Sequence, residues 1–263
     1  MQRVLAVAGV VLRCWARRKE GYLLVLLLAA VQCALSSMDI LNTGGSSLYL
    51  FDTGLLLCWF LGWVVAIHAG ATELPGEELR GTIYLLLAKP LSRAELIVGK
   101  WLGAWVAVSV CTLAFHAVSL GIARMAGVHP PTAVLLQCYL LHLVSLSVLT
   151  ALALAISTRL NRDASVALAV SLALTLFVIV PQIPTLASRV SGWRVLGFDL
   201  LYYALPHFEL FDLRRRVLHG YAPISFDLLA TLIAYGTVWT GICLSVAWLS
   251  YRNRRFQRDR LLE

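Results

Sequence analysis

Charge is what this sequence has least of. Only 14% of its 263 residues are Asp, Glu, Lys or Arg, against 60% that are hydrophobic. Soluble domains carry about 25% charged residues, so a chain this apolar, with a mean hydropathy of +0.80, belongs in a bilayer. Catalytic motifs are missing too: there is no H-E-x-x-H and no G-x-S-x-G. A phosphate-binding loop is also absent. Its nearest candidate, Gly99-Lys100, has Ala94 where the first glycine is needed and Trp101 where Ser or Thr would bind magnesium. The chain is therefore not expected to hydrolyse ATP, and a membrane-embedded enzyme is the weakest reading. The six cysteines include no C-x-x-C pair and five lie in apolar segments, which excludes a disulfide framework or a zinc site and leaves them as small core residues. His68, His116 and His142 stand singly in apolar runs, without i, i+4 partners, so no metal site is expected. Finally, the apolar run Val4 to Leu12 is followed by Arg13-Cys14-Trp15-Ala16-Arg17-Arg18-Lys19 and not by small residues, so no signal cleavage is expected.

What is there is a succession of apolar runs. Met1 to Glu20 alternates apolar and basic residues, as expected of an amphipathic helix in a headgroup layer. Six spans follow, at about 21–37, 55–72, 96–123, 133–156, 164–180 and 228–249. At ~1.5 Å per residue the fifth is short for a bilayer, and a re-entrant piece over 182–188 is expected to complete it. The fold class expected is all-α integral membrane, one transmembrane domain over 1–263, with a loop at 73–95 and a helical segment at 182–226 on opposite sides.

The net charge of +8 follows the same layout. Basic residues collect before the first span (Arg3, Arg13, Arg17, Arg18, Lys19), in the 73–95 loop and its flank (Arg80, Lys89, Arg93, Lys100), at Arg159 and Arg162, and after the last span (Arg252, Arg254, Arg255, Arg258, Arg260). By the positive-inside rule all of these face the cytoplasm, with both termini. The basic balance is thus read as membrane topology and not as nucleic-acid binding. No Asp, Glu, Lys or Arg falls in the middle of a span, which argues against a carboxylate proton relay.

One stretch stands out, EELRGTIYLLLAKPLSRAELIVGK over 77–100. Pro75-Gly76 is expected to break the preceding helix. Leu79, Ile83, Leu86 and Leu87 then fall on one helical stripe, giving a short surface helix that Lys89-Pro90 ends. Ser92-Arg93-Ala94-Glu95 has the spacing of a capping box, so the next helix starts there. On pattern alone this is an interfacial helix in a loop. The string, however, closely resembles the first cytoplasmic loop of type-2 permeases of ATP-binding-cassette (ABC) exporters: an acidic residue, Gly-Thr, a leucine run, Pro-x-Ser-Arg and Gly-Lys. A second match lies at 205–211, Leu-Pro-His-Phe-Glu-Leu-Phe. It resembles the Leu-Pro-(Asn/His)-x-x-x-Phe segment between the last two spans of the same family, notably in the branch linked to maturation of multi-copper enzymes.

The resemblance implies a division of labour. Glu77, Glu78, Arg80, Gly81, Thr82, Tyr84, Lys89, Pro90 and Arg93 would form the coupling helix that docks on a separate ATPase, which holds the ATP and Mg in two copies; this chain binds no cofactor itself. Trp59, Trp63 and His68 on the second span, with Ser171, Thr175 and Phe177 on the fifth, would line the path. Pro206, His207 and Phe208 would form an outer gate; His207 and His219 are copper contacts only by the resemblance, twelve residues apart and without ligand spacing. Such permeases work as two copies, here a homodimer or a pair with a related chain, in the bacterial inner membrane. The alternative is a non-transporting scaffold that recruits an extracytoplasmic enzyme through 189–226.

Overall fold

The computed structural model describes residues 1–37, 46–79, 92–189 and 193–252, and among them every regular element is helical. In chain order these are α1 (Gln2–Ala16), α2 (Glu20–Ser37), α3 (Ser46–Leu79), α4 (Arg93–Met125), α5 (Thr132–Ser157), α6 (Arg162–Val178), α7 (Ile183–Ala187), α8 (Trp193–Ala204), α9 (Arg214–Leu218) and α10 (Phe226–Arg252). Short 3₁₀ turns at Val180–Gln182 and Phe208–Phe211 interrupt the series. Among the described residues five stretches are long and apolar enough to cross a bilayer: Ser47–Leu79, Arg93–Met125, Thr132–Ser157, Arg162–Ala187 and Phe226–Arg252. The pair α1 and α2, bent by 52°, makes a sixth if counted as one span.

Three expectations are corrected. Pro75-Gly76 does not end the second span, because α3 runs on to Leu79 with Pro75 inside it. Proline in a helix interior costs about 3 kcal/mol through a lost hydrogen bond and a steric clash, but Leu74 beside it is fully buried in a cluster with Val7, Leu96, Ile97, Leu154, Ala247 and Tyr251. Tertiary packing on both sides of the proline outweighs the local preference. The second correction concerns the fifth span. Residues 183–187 do not turn back; they continue α6 outward, so that Arg162–Ala187 forms one stretch of 26 residues, about 39 Å at helical rise. α3 also begins earlier than expected, which places Asp52 within the helix instead of before it. The start of α4 is as expected. Ser92 Oγ accepts from the Glu95 amide at 3.2 Å and Glu95 Oε2 accepts from the Ser92 amide at 2.8 Å, a complete capping box. The surface helix expected after Leu79 and the polar turn before Ser46 lie outside the described residues.

We refer to the end of the bundle where α3 finishes and α4 begins as the loop end, and the opposite end as the far end. α3, α4 and α10 pack against α5. Without a water-driven force between helices in lipid, small residues and interhelical hydrogen bonds hold such contacts. Gly70 of α3 lies so close to α5 that a Cβ there would stand 2.4 Å from the Thr150 carbonyl oxygen. The indoles of Trp101 and Trp105, stacked at 5.6 Å, donate to the carbonyls of Ser147 at 3.2 Å and Leu143 at 2.9 Å, tying α4 to α5. Ser147 and Thr240 hydroxyls meet at 2.8 Å between α5 and α10. Gln32 of α2 donates to Ser119 of α4 at 2.6 Å. All six cysteines are free.

The Gly70 approach gives a test. Gly70→Ala should lower stability by about 1–3 kcal/mol, because the blocking atom is backbone and cannot move aside. Gly121→Ala, where nothing lies within 4 Å, should leave it unchanged. Thermal unfolding of the purified protein in detergent reads both.

Candidate functional site

Two clusters of chemistry-bearing side chains sit inside the bundle, one toward each end. At the loop end Glu73 and Glu77 are four residues apart on α3, so both carboxylates share one face. Lys100 of α4 reaches between them. Its Nζ lies 3.2 Å from Glu73 Oε2 and is also bonded to Glu77 Oε1, with the lysine side chain only 4% exposed. The other Glu73 oxygen accepts from Trp15 Nε1 of α1 at 3.1 Å, and the Trp15 ring stands edge-on to His68 at 6.3 Å. α1 reaches this point because α4 presents no side chain where they cross. A Cβ on Gly99 would be 2.7 Å from the Val7 Cβ, and one on Gly103 2.7 Å from the Val11 Cβ. α10 closes the same end: Arg93 donates to the Tyr251 carbonyl at 2.6 Å and lies 5.8 Å from the centre of its ring. A buried charge of this kind is tolerated only when paired. The cluster therefore fixes α1, α3 and α4 to one another on either side of the 80–91 loop.

Toward the far end an aromatic core fills the space between α3, α5 and the 205–218 segment. Trp59 stacks on His142 at 4.4 Å and His142 lies 5.4 Å from His116. Trp63 meets Phe177 at 5.2 Å and Phe208 at 5.6 Å. Arg214, held by Asp212 at 2.6 Å, places its guanidinium 5.4 Å from the centre of the Trp59 ring, a cation–π contact. The indole N–H groups of Trp59 and Trp63 are buried without a hydrogen-bond partner, which is uncommon for buried tryptophan. Tyr235 of α10 anchors the segment from the other side, its hydroxyl 3.1 Å from both the amide and Nδ1 of His207. Among the described residues no group of three or more His, Cys, Asp or Glu side chains is arranged to hold a metal ion.

A family model described as "ABC-2 family transporter protein" matches residues 18–259. The chain belongs to the ABC-2 family. It is also similar to the probable ABC transporter permease protein NosY of Pseudomonas aeruginosa, 29% identical over 217 residues that cover 75% of this chain and 78% of that protein. The family expected from the 77–100 and 205–211 strings is thus shown.

In this ABC-2 protein the residues assigned from sequence fall in different places. Glu77 is engaged by Lys100, Glu78 is half-buried beside it, and Arg93 is held on Tyr251. Arg80, Gly81, Thr82, Tyr84, Lys89 and Pro90 lie outside the described residues. Of the six path residues, Trp59 and Trp63 are buried in the aromatic core, and Phe177 is half-buried against Trp63. His68 is half-buried one turn above Thr72. Ser171 and Thr175 are exposed on α6, each bonded to the carbonyl four residues back, at 2.9 and 2.8 Å. Pro206, His207 and Phe208 do not stand free at the surface; all three are buried, Phe208 completely.

Sequence reasoning missed Lys100, Glu73 and Trp15. The signal was present in the i, i+4 pair of carboxylates facing Gly99-Lys100, but a helix break placed at Pro75 separates Glu73 from Glu77 and hides it. Removing the lysine takes away the cation that Glu73, buried, and Glu77, half-buried, share. Lys100→Met should therefore cost about 3–5 kcal/mol, and combining it with Glu73→Gln and Glu77→Gln should recover most of that loss. Chemical denaturation of the detergent-purified variants distinguishes a charge-pairing role from a packing role, because packing alone predicts no recovery.

Proposed function

We propose that this ABC-2 permease is the membrane-spanning subunit of an ATP-driven exporter, moved by a separate ATPase that docks on its 80–91 loop. The observation that carries the reading is the buried Lys100–Glu73–Glu77 cluster, which braces the two helices entering and leaving that loop. A lever that must tilt spans needs stiff attachment at its root, and a charge pair sealed from water supplies it. In this reading the loop end and both termini face the cytoplasm of a bacterial inner membrane, as the distribution of Lys and Arg supports. ATP and Mg bind the partner. ATP-driven closure of two ATPases rocks two facing permease copies as rigid bodies, and the exposed Ser171–Thr175 face of α6 contributes to the path between them. The plug at 205–218 closes its outer side.

A second reading is favoured by α8. Trp193, Leu196, Leu200 and Tyr203 follow a helical stripe and are 81%, 71%, 69% and 80% exposed. Such a face suits a scaffold that recruits an extracytoplasmic enzyme. Replacing it by Ser should abolish that recruitment and leave ATPase coupling intact.

The transporter reading is tested at Gly81. Proline there is incompatible with a continuing helix, so Gly81→Pro should leave membrane insertion unchanged while vanadate-sensitive ATPase activity no longer co-purifies or no longer responds to the permease. Unaltered ATPase stimulation by the variant would refute the loop's role. Glu77→Lys is the poorer probe, because Glu77 also holds Lys100.

A further inference from the structure

The bend between α1 and α2 has an arrangement that the transport reading does not use. No acidic residue precedes Glu20, while Arg13, Arg17, Arg18 and Lys19 cluster within seven positions. Arg17 keeps α-helical dihedrals, φ −88° and ψ −12°, so Arg13 and Arg17 stand one turn apart on the same face. Arg18 turns inward, 5.2 Å from the centre of the Trp15 ring. Arg13, Arg17 and Lys19 remain exposed, and among the described residues no carboxylate pairs with them.

The depth of this patch gives it meaning. Trp15 is fixed to Glu73 at the level of Lys100. Gly21 lies against Cys111, whose Sγ is 3.7 Å from where its Cβ would be. Lys100 and Cys111 are eleven residues apart on α4 (111 − 100 = 11), about 16 Å at helical rise. The basic bend therefore falls between those two levels, alongside a helix that is itself apolar enough to span the membrane. Placed near the end of a span, these long basic side chains can extend their charged heads to the headgroup layer while their stems stay against apolar surface, where basic residues attract anionic lipid. α1 cannot turn them away by rotating, because Val7, Val11 and Trp15 are buried on its other side.

We propose that Arg13, Arg17 and Lys19 form a binding site for the phosphate headgroup of an anionic phospholipid, drawn in at the α1–α2 bend. Guanidinium groups one turn apart present forked donors suited to phosphate oxygens, and the adjoining face of α2, where Tyr22, Leu23, Leu26 and Leu27 are exposed, is an apolar surface for the acyl chains. The site requires only that the chain spans a membrane. It stands or falls independently of the ATPase.

The test is lipid retention by the full-length protein in nanodiscs of equimolar phosphatidylglycerol and phosphatidylcholine, read by native mass spectrometry after detergent release. The wild type should keep phosphatidylglycerol selectively. Each basic residue near a membrane surface contributes roughly a fivefold preference, so Arg13→Gln, Arg17→Gln and Lys19→Gln together should weaken retention on the order of a hundredfold. The Arg13→Lys, Arg17→Lys variant, which keeps the charge but loses the forked donors, should retain the lipid more weakly than the wild type and more strongly than the Gln variant, and both variants should keep the wild-type melting temperature in pure phosphatidylcholine. Equal retention by the Gln variant, retention of phosphatidylcholine as readily as phosphatidylglycerol, or displacement of the lipid by millimolar inorganic phosphate would overturn the proposal. So would loss of ATPase co-purification with lipid retention unchanged, which would identify the patch as a protein contact.

Discussion

The fold at the loop end depends on one buried cation. Lys100 enters from α4 into a space it shares with two carboxylates of α3 and, through Glu73, with the indole of α1. Desolvating these groups is expensive, and the attraction between them offsets that cost only while all are present in one geometry. Movement of α3 against α4 by even one side-chain diameter would separate charges in a medium that cannot solvate them. The three helices are therefore constrained to move together at this point. The constraint sits where α3 ends and α4 begins, so the same pairing that holds the fold also determines how stiffly any force applied at that end reaches the spans.

The far end is held differently. Its contacts are broad aromatic surfaces, Trp59 on His142 and Trp63 on Phe177 and Phe208, with the ion pair Arg214–Asp212 set over an indole face. Ring contacts tolerate sliding better than hydrogen-bonded charges do, and two indole N–H groups remain unpaired inside the core. The molecule is thus held mainly by buried charge at one end and mainly by buried aromatic surface at the other.

Much of this was legible in the sequence, for physical reasons that can be named. Long apolar runs identify spans because a bilayer demands them, and the Ser92–Glu95 box marks the start of α4 because the reciprocal bonds need those two residues at that spacing. The 77–100 and 205–211 strings carried the family. Pro75 misled because a local rule was applied where Leu74, fully buried beside it, supplies a tertiary contact strong enough to override it. The same error hid Lys100, whose partners lie on both sides of that proline. The orientation of Trp59 and Trp63 had no sequence signal at all: the 54–67 stretch of α3 around them is apolar on every face, so no polar stripe there indicates which side turns inward. Phe208 lay in a segment expected to form an outer gate, and only the three-dimensional path of 205–218 shows its side chain packed in the core.

The Arg93–Tyr251 bond has a wider architectural effect. It seats the last turn of α10 beside the first turn of α4, while Val7 of α1 packs in the same cluster as Leu96 and Tyr251. Polypeptide arriving ahead of α1 or leaving after α10 therefore begins next to the stem of the 80–91 loop. An affinity tag, a fluorescent protein or a fused domain attached at either position would share that crowded neighbourhood with whatever docks on the loop, whereas an insertion in the 219–225 connection would stand at the other end of the bundle, out of its way.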